Sequence, residues 1–199
     1  DGSPMSDVEI HDELLTLLVA GHETTATQLA WTLERLTREP EVLGRLVAAV
    51  DEGDGEPYLT ATIREILRHR PVLLNAAPRT VKKPIEVGGI EYAPRVHLLV
   101  SAWLVQHDPD IYPDPYAFRP ERFLDSDPGT YTWIPFGGGR RRCIGASFAQ
   151  MEMAIVLREL LRSTEIRAGI DGPEVTIRRA ITVTPGSGAE TFLADRIAA

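Results

Sequence analysis

The residues best suited to chemistry lie in one stretch, 136–145, which reads FGGGRRRCIG. It holds the chain's single cysteine, Cys143. Glycine-rich backbone and three arginines, Arg140, Arg141 and Arg142, precede the sulfur, and a segment with helical spacing follows it. Backbone N–H groups, a helix dipole and positive charge all favour thiolate over thiol. Gly139 and Gly145 carry no Cβ, so a flat ligand can approach the backbone closely. A thiolate on a tight, dry loop under a flat ring can ligate a metal held in that ring. Taken alone, a lone cysteine is more often a small buried hydrophobe. The ten-residue context, not the sulfur, points to ligation.

A second polar group is Ala20-Gly21-His22-Glu23-Thr24-Thr25. Glycine inside a helix costs about 1 kcal/mol relative to alanine. A threonine that bonds back to the carbonyl four residues earlier loosens the helix further. For Thr24 that carbonyl belongs to Ala20. The expected result is a local widening lined by an acid, Glu23, and an alcohol, Thr24. The plainer alternative is a polar stripe with Thr24 and Thr25 at a packing contact. Other motifs fail. His22-Glu23 opens like a zinc-protease HExxH, but Ala26 stands where the second histidine belongs. Gly137-Gly138-Gly139 lacks a Gly-Lys-Ser/Thr at phosphate-loop spacing, and Arg142 replaces the third glycine of GxGxxG. The five histidines show no ligand spacing among themselves.

Elements must position these groups. Ser6 and Glu9 have capping-box spacing, so a helix starts near Asp7. Apolar residues recur helically from Ile10 to Leu36, and Pro40 ends the run. About 30 residues give a helix near 45 Å. Apolar on more than one face, it should be central and buried. Further helices are expected over 41–51, ending in the loop 53–55, over 60–69 and over 146–162. Strands are expected over 85–87, 90–92, 96–100, 165–168, 175–181 and 191–193, with a hairpin tip at 185–188. Five prolines between 108 and 128 forbid regular helix there. Tyr112, Tyr116, Phe118 and Phe123 make that stretch an ordered meander rather than a linker.

The chain has 199 residues and a formal net charge of −8, with 43% hydrophobic residues. Such a composition excludes wholesale disorder. The acidity argues against a protein that tracks nucleic-acid phosphates. One cysteine excludes an intrachain disulfide and suits a reducing compartment. No apolar run approaches the roughly 20 residues of a membrane span, and Asp1-Gly2-Ser3-Pro4 does not open a signal peptide. The expected location is cytoplasmic. The chain does not begin with Met, so a longer protein is expected.

The stretch 136–145 resembles the haem-binding signature of the cytochrome P-450 superfamily, F-x-x-G-x-R-x-C-x-G. Phe136, Gly139, Arg141, Cys143 and Gly145 fill every fixed position. The resemblance implies a mainly α fold with small β-sheets, the C-terminal half of the cytochrome P-450 fold. Its parts would be the long central helix, the E-x-x-R helix, the meander, the Cys-ligand loop, the following helix and a C-terminal β hairpin. Residues 1–199 would be the haem-binding portion, with the N-terminal half absent. The cofactor would be haem b, with Cys143 the axial ligand of its iron. Arg141 and Arg79 would bind its propionates, Arg79 being alternatively a solvated surface residue. Phe136 would pack beside the sulfur. Ala20-Gly21-His22-Glu23-Thr24-Thr25 resembles the family's oxygen-activation motif: Ala20 and Gly21 would lie against the haem, and Glu23 and Thr24 would relay protons to dioxygen. Glu65 and Arg68 match E-x-x-R. Arg122, in Pro120-Glu121-Arg122-Phe123, would join them in a buried structural triad. One departure is Arg95, which stands where the family has a turn glycine, with a modest local change expected.

The implied activity is hydroxylation of a lipophilic organic substrate by a haem-thiolate monooxygenase. Residues 72–76 and 185–188 fall where relatives meet substrate. No flavin- or nicotinamide-binding pattern is present, so electrons would come from a ferredoxin and its ferredoxin reductase. Arg140 and Arg142 either meet that acidic partner or are simply solvated. The alternatives are a peroxide-dependent haem-thiolate enzyme and a truncated, non-catalytic fragment. Such a half-length chain would expose an apolar face of its long helix, favouring dimerisation or aggregation.

Overall fold

A computed structural model describes residues 4–53 and 55–196. Asp1, Gly2 and Ser3, the start of the segment weighed above as a signal peptide, lie outside the described residues, as does Asp54 in the loop 53–55. Helix α1 spans Asp7–Arg38, 32 residues. Its N-terminus carries the expected capping box: the Ser6 N–H donates to the Glu9 carboxylate at 2.8 Å, and the Ser6 hydroxyl accepts from the Glu9 N–H. Helix α2 (Pro40–Glu52) begins with a proline in its first turn, where no N–H is needed, and ends at Gly53 with φ 81°. Helix α3 (Glu56–His69) starts four residues earlier than expected, again on a first-turn proline. Helix α5 (Ala146–Ser163) follows the cysteine loop.

Four antiparallel pairs complete the fold: β1 (Arg79–Thr80) with β4 (His97–Leu98), β2 (Ile85–Val87) with β3 (Ile90–Tyr92), β5 (Thr164–Ala168) with β8 (Thr191–Asp195), and β6 (Thr176–Arg179) with β7 (Thr182–Pro185). The expected strand over 175–181 is interrupted. Arg179 pairs with Thr182, and Ala180, at φ 51°, turns the chain between them. The hairpin tip is therefore Ala180-Ile181, not 185–188. The latter forms a separate turn, held where Glu174 accepts from the N–H groups of Ser187 and Ala189. The strand expected over 96–100 shrinks to His97–Leu98, because Ser101 caps a short helix, α4 (Ala102–Gln106), that the sequence did not announce. Residues 108–128 form an irregular meander, with one 3-10 turn at Pro120–Phe123.

The core lies where α1, α2, α3 and α5 meet and is built on Trp31, Leu36, Leu46, Leu59, Ile66 and Leu157. Only the C-terminal half of α1 reaches it. Residues 4–23 are exposed, including Leu14, Leu17, Leu18 and Val19. This corrects the expectation, from periodicity, of a helix buried throughout, and agrees with the apolar face expected to be exposed in a half-length chain: 32 residues extend about 48 Å, and the other elements flank only its later turns. Two polar contacts fix those turns, and a third braces the strand that one of them reaches. Gln28 donates to the Arg70 carbonyl, the Trp31 indole donates to the Val183 carbonyl at 3.0 Å, and the Val183 N–H donates to the Val72 carbonyl. Among the described residues no helix is long and apolar enough to cross a membrane.

Candidate functional site

The loop 136–145 is shaped by its own backbone. Gly137 and Gly139 have φ of 68° and 63°, a region open to glycine. The Cys143 N–H donates to the Phe136 carbonyl at 2.9 Å, closing the loop, and Gly139–Arg141 form a 3-10 turn within it. Gly145 is the N-cap of α5. A Cβ on Gly145 would stand 3.9 Å from the Cys143 sulfur, while one on Gly139 would meet nothing within 4 Å. The Phe136 ring lies edge-on to Trp133, 6.0 Å between centroids, and packs on the core. Cys143 is exposed. Among the described residues no side chain encloses the sulfur. Exposed Ile144, Phe148 and Met151 extend an apolar stripe from the sulfur along α5.

A buried ionic cluster anchors the approach to this loop. Glu65 and Arg68 have no exposed surface. Arg68 donates through Nε and Nη2 to both oxygens of Glu65. Its Nη1 donates to the carbonyls of Gln106 and Pro115. Glu65 also accepts the Arg119 N–H at 2.8 Å, and Arg122 Nε stands 3.6 Å from its Oε1. Burial holds the Arg122 guanidinium below its usual value, against the pull of Glu65. The triad thus ties α3 to the meander. Gln106, which sequence reasoning passed over, carries the connection onward. It is fully buried, donates to the carbonyls of Leu67 and Arg68, and accepts the Ile134 N–H at 2.9 Å, two residues before Phe136. A glutamine announces no such role from sequence.

Glu23 and Thr24 lie on α1. Thr24 donates to the Ala20 carbonyl at 2.7 Å, the bond anticipated from spacing. The helix nevertheless stays regular α through this turn, so the expected widening is absent. A carbonyl has two lone pairs and can accept the hydroxyl without giving up its helical bond. A Cβ on Gly21 would meet nothing within 4 Å, and Ala20 and Gly21 are exposed. Glu23 does not bond to Thr24. It accepts from the Thr182 hydroxyl at 3.2 Å, a partner no local pattern could reveal. The structure therefore keeps this pair and the cysteine loop on separate elements. Helix α1 packs against α5, and a Cβ on Gly137 would lie 4.0 Å from Ala76, in the segment that leads to Arg79. Exposed Arg79 donates to the carbonyls of Ala77 and Pro78, and Arg141 is exposed. Among the described residues neither guanidinium has a carboxylate partner.

The family described as Cytochrome P450 matches residues 1–187. The chain belongs to the cytochrome P450 family. It is 44% identical over 187 residues to cytochrome P450 137 of Mycobacterium tuberculosis, covering 94% of this chain and 39% of that one. To cytochrome P450 138 of Mycobacterium bovis it is 44% identical over 197 residues, covering 98% and 44%. Two solved structures, a cytochrome P450 named CYP102L1 and the retinoic acid-bound cyanobacterial CYP120A1, superpose with TM-scores of 0.86 and 0.88 at 28% and 25% identity. Each comparison covers 98% of this chain and 47% or 48% of the other. The chain thus spans less than half the length of the relatives it matches.

Proposed function

We propose that this chain is the haem-holding part of a monooxygenase that hydroxylates a lipophilic organic substrate. The observation that carries the reading is the Cys143 loop: an exposed sulfur on a loop turned by left-handed glycines, at the head of α5, with apolar surface running from it. Its neighbours suit haem b. Gly139 and Gly145 leave room for a flat ring beside the sulfur, and Arg79 and Arg141 are cations without carboxylate partners among the described residues, free for propionates. Cys143 would bind the iron, Phe136 would hold the loop against the core, and Ala20 and Gly21, which present no bulky side chain, would lie against the haem. When bound, haem supplies the iron at which dioxygen is activated. Glu23 would then give up a proton and recover one from solvent, with the Thr24 hydroxyl as the neighbouring donor and acceptor. Residues 72–76 and the turn 185–188 would meet the substrate, and the Val183 N–H, on the strand leading to that turn, donates to the Val72 carbonyl. Electrons would come from a ferredoxin and its reductase meeting Arg140 and Arg142, which are exposed.

Exposed Leu14, Leu17, Leu18 and Val19 favour a second reading for the 199 residues by themselves: a fragment that binds haem weakly and self-associates. The test is turnover by the haem-loaded full chain. Product from dioxygen with ferredoxin, reductase and reductant is expected. No product under those conditions, with product formed when peroxide is supplied, would contradict the dioxygen reading.

A further inference from the structure

We propose that Thr182, on the β6–β7 hairpin, is a positioning residue that keeps the Glu23 carboxyl oriented while it gains and loses a proton. This rests on the reading of Glu23 as a proton carrier. The two residues lie 159 positions apart, so the contact is made by the fold and not by the local chain. Thr182 is 4% exposed, and its backbone is fixed on both sides: it pairs with Arg179, and Val183 is tied to Trp31 and Val72. Only its hydroxyl hydrogen is free to turn.

That hydroxyl oxygen stands 3.2 Å from Glu23 Oε1 and 2.9 Å from the Arg179 carbonyl. It has one proton to donate and lone pairs to accept with, whereas a carboxylate and a carbonyl can only accept. When Glu23 is ionised, Thr182 donates to it. When Glu23 is protonated, the acid donates to Thr182, which donates to Arg179. The acid keeps a partner at one address in both states, and no heavy atom moves. Glu23 is otherwise exposed. Without that partner its side chain would spread over several rotamers, and a wandering donor loses effective concentration at its target.

Two measurements on the full chain test this. The first is a double-mutant cycle on the thermal midpoint. Thr182→Val should lower the midpoint with Glu23 present and by clearly less in a Glu23→Ala background, and Thr182→Ser should keep the wild-type coupling. The second, on the haem-loaded protein, is the fraction of consumed reductant recovered as product. Thr182→Val should lower it on the order of tenfold, a part of the ~10²–10⁴ that a placed proton donor contributes, and Thr182→Ser should restore it. Equal midpoint shifts in both backgrounds overturn the contact. A fall with Glu23→Gln but not with Thr182→Val overturns the positioning role while the relay stands. No fall with Glu23→Gln overturns the relay, and the role of Thr182 with it.

Discussion

The carboxylate of Glu65 meets the guanidinium of Arg68 side-on, at 2.7 Å to Nε and 2.8 Å to Nη2, with neither side chain exposed. Two further charges or dipoles, Arg122 and the Arg119 N–H, converge on the same carboxylate. Glu65→Ala removes the only anion among them and leaves Arg68 buried and uncompensated. The expected loss is about 3–5 kcal/mol, the cost of breaking a buried pair from one side. Because Arg68 and Gln106 together reach the loop before Phe136, haem should be lost as well. Thermal unfolding and haem content of the purified full chain check this, and wild-type values of both would contradict the clamp.

His69 and His107 predict a loss of stability in acid. Burial pushes His69 down to about 3 and His107 down to about 4, in spite of bonds from their rings to the carbonyls of Tyr116 and Trp103. Arg68 and Arg70 oppose the charged form of both. The unfolded chain binds these protons below about pH 6.5, whereas the folded chain stays neutral until about 4. Stability from this pair is therefore complete above about pH 6.5 and falls as pH drops, by about 1.4 kcal/mol per pH unit for each histidine. Denaturant unfolding at pH 7 and pH 5 should show a shallower fall for His69→Phe than for wild type. Equal slopes would contradict the assignment.

Arg95 occupies a left-handed conformation, φ 74°, in an exposed turn where its N–H donates to the Val81 carbonyl at 2.8 Å. That conformation costs a residue with a Cβ about 1–2 kcal/mol, and glycine gives back part of the gain through unfolded-state entropy, about 0.5–1 kcal/mol. Arg95→Gly should thus raise stability by about 0.5–1 kcal/mol, seen as a higher denaturation midpoint. A lower midpoint would show that the arginine side chain contributes more than the turn costs.

Arg95 also shows what the sequence disclosed and what it withheld. A resemblance with glycine at that position already implied a tight turn, and the positive φ agrees. Capping at Ser6, the stop at Pro40, the Glu65–Arg68 spacing and the Thr24–Ala20 bond were all legible, because each depends on residues a few positions apart. The break at Ala180-Ile181 was not: Val175 to Ile181 reads as one β-prone run, and only pairing with β7 turns it. Nor were Gln106 and Thr182, whose partners lie 28 to 159 residues away. The exposed apolar face of α1 followed from the half-length resemblance rather than from periodicity, and the exposure of Cys143 depends on which elements surround it, which periodicity does not record.

The most direct test of the account is the carbon monoxide spectrum of the reduced, haem-loaded full chain beside its Cys143→Ser variant. Wild type should show the Soret band characteristic of thiolate-ligated ferrous haem, and the variant should lose it. An unchanged spectrum in the variant would contradict the assignment of Cys143 as the residue that holds the iron.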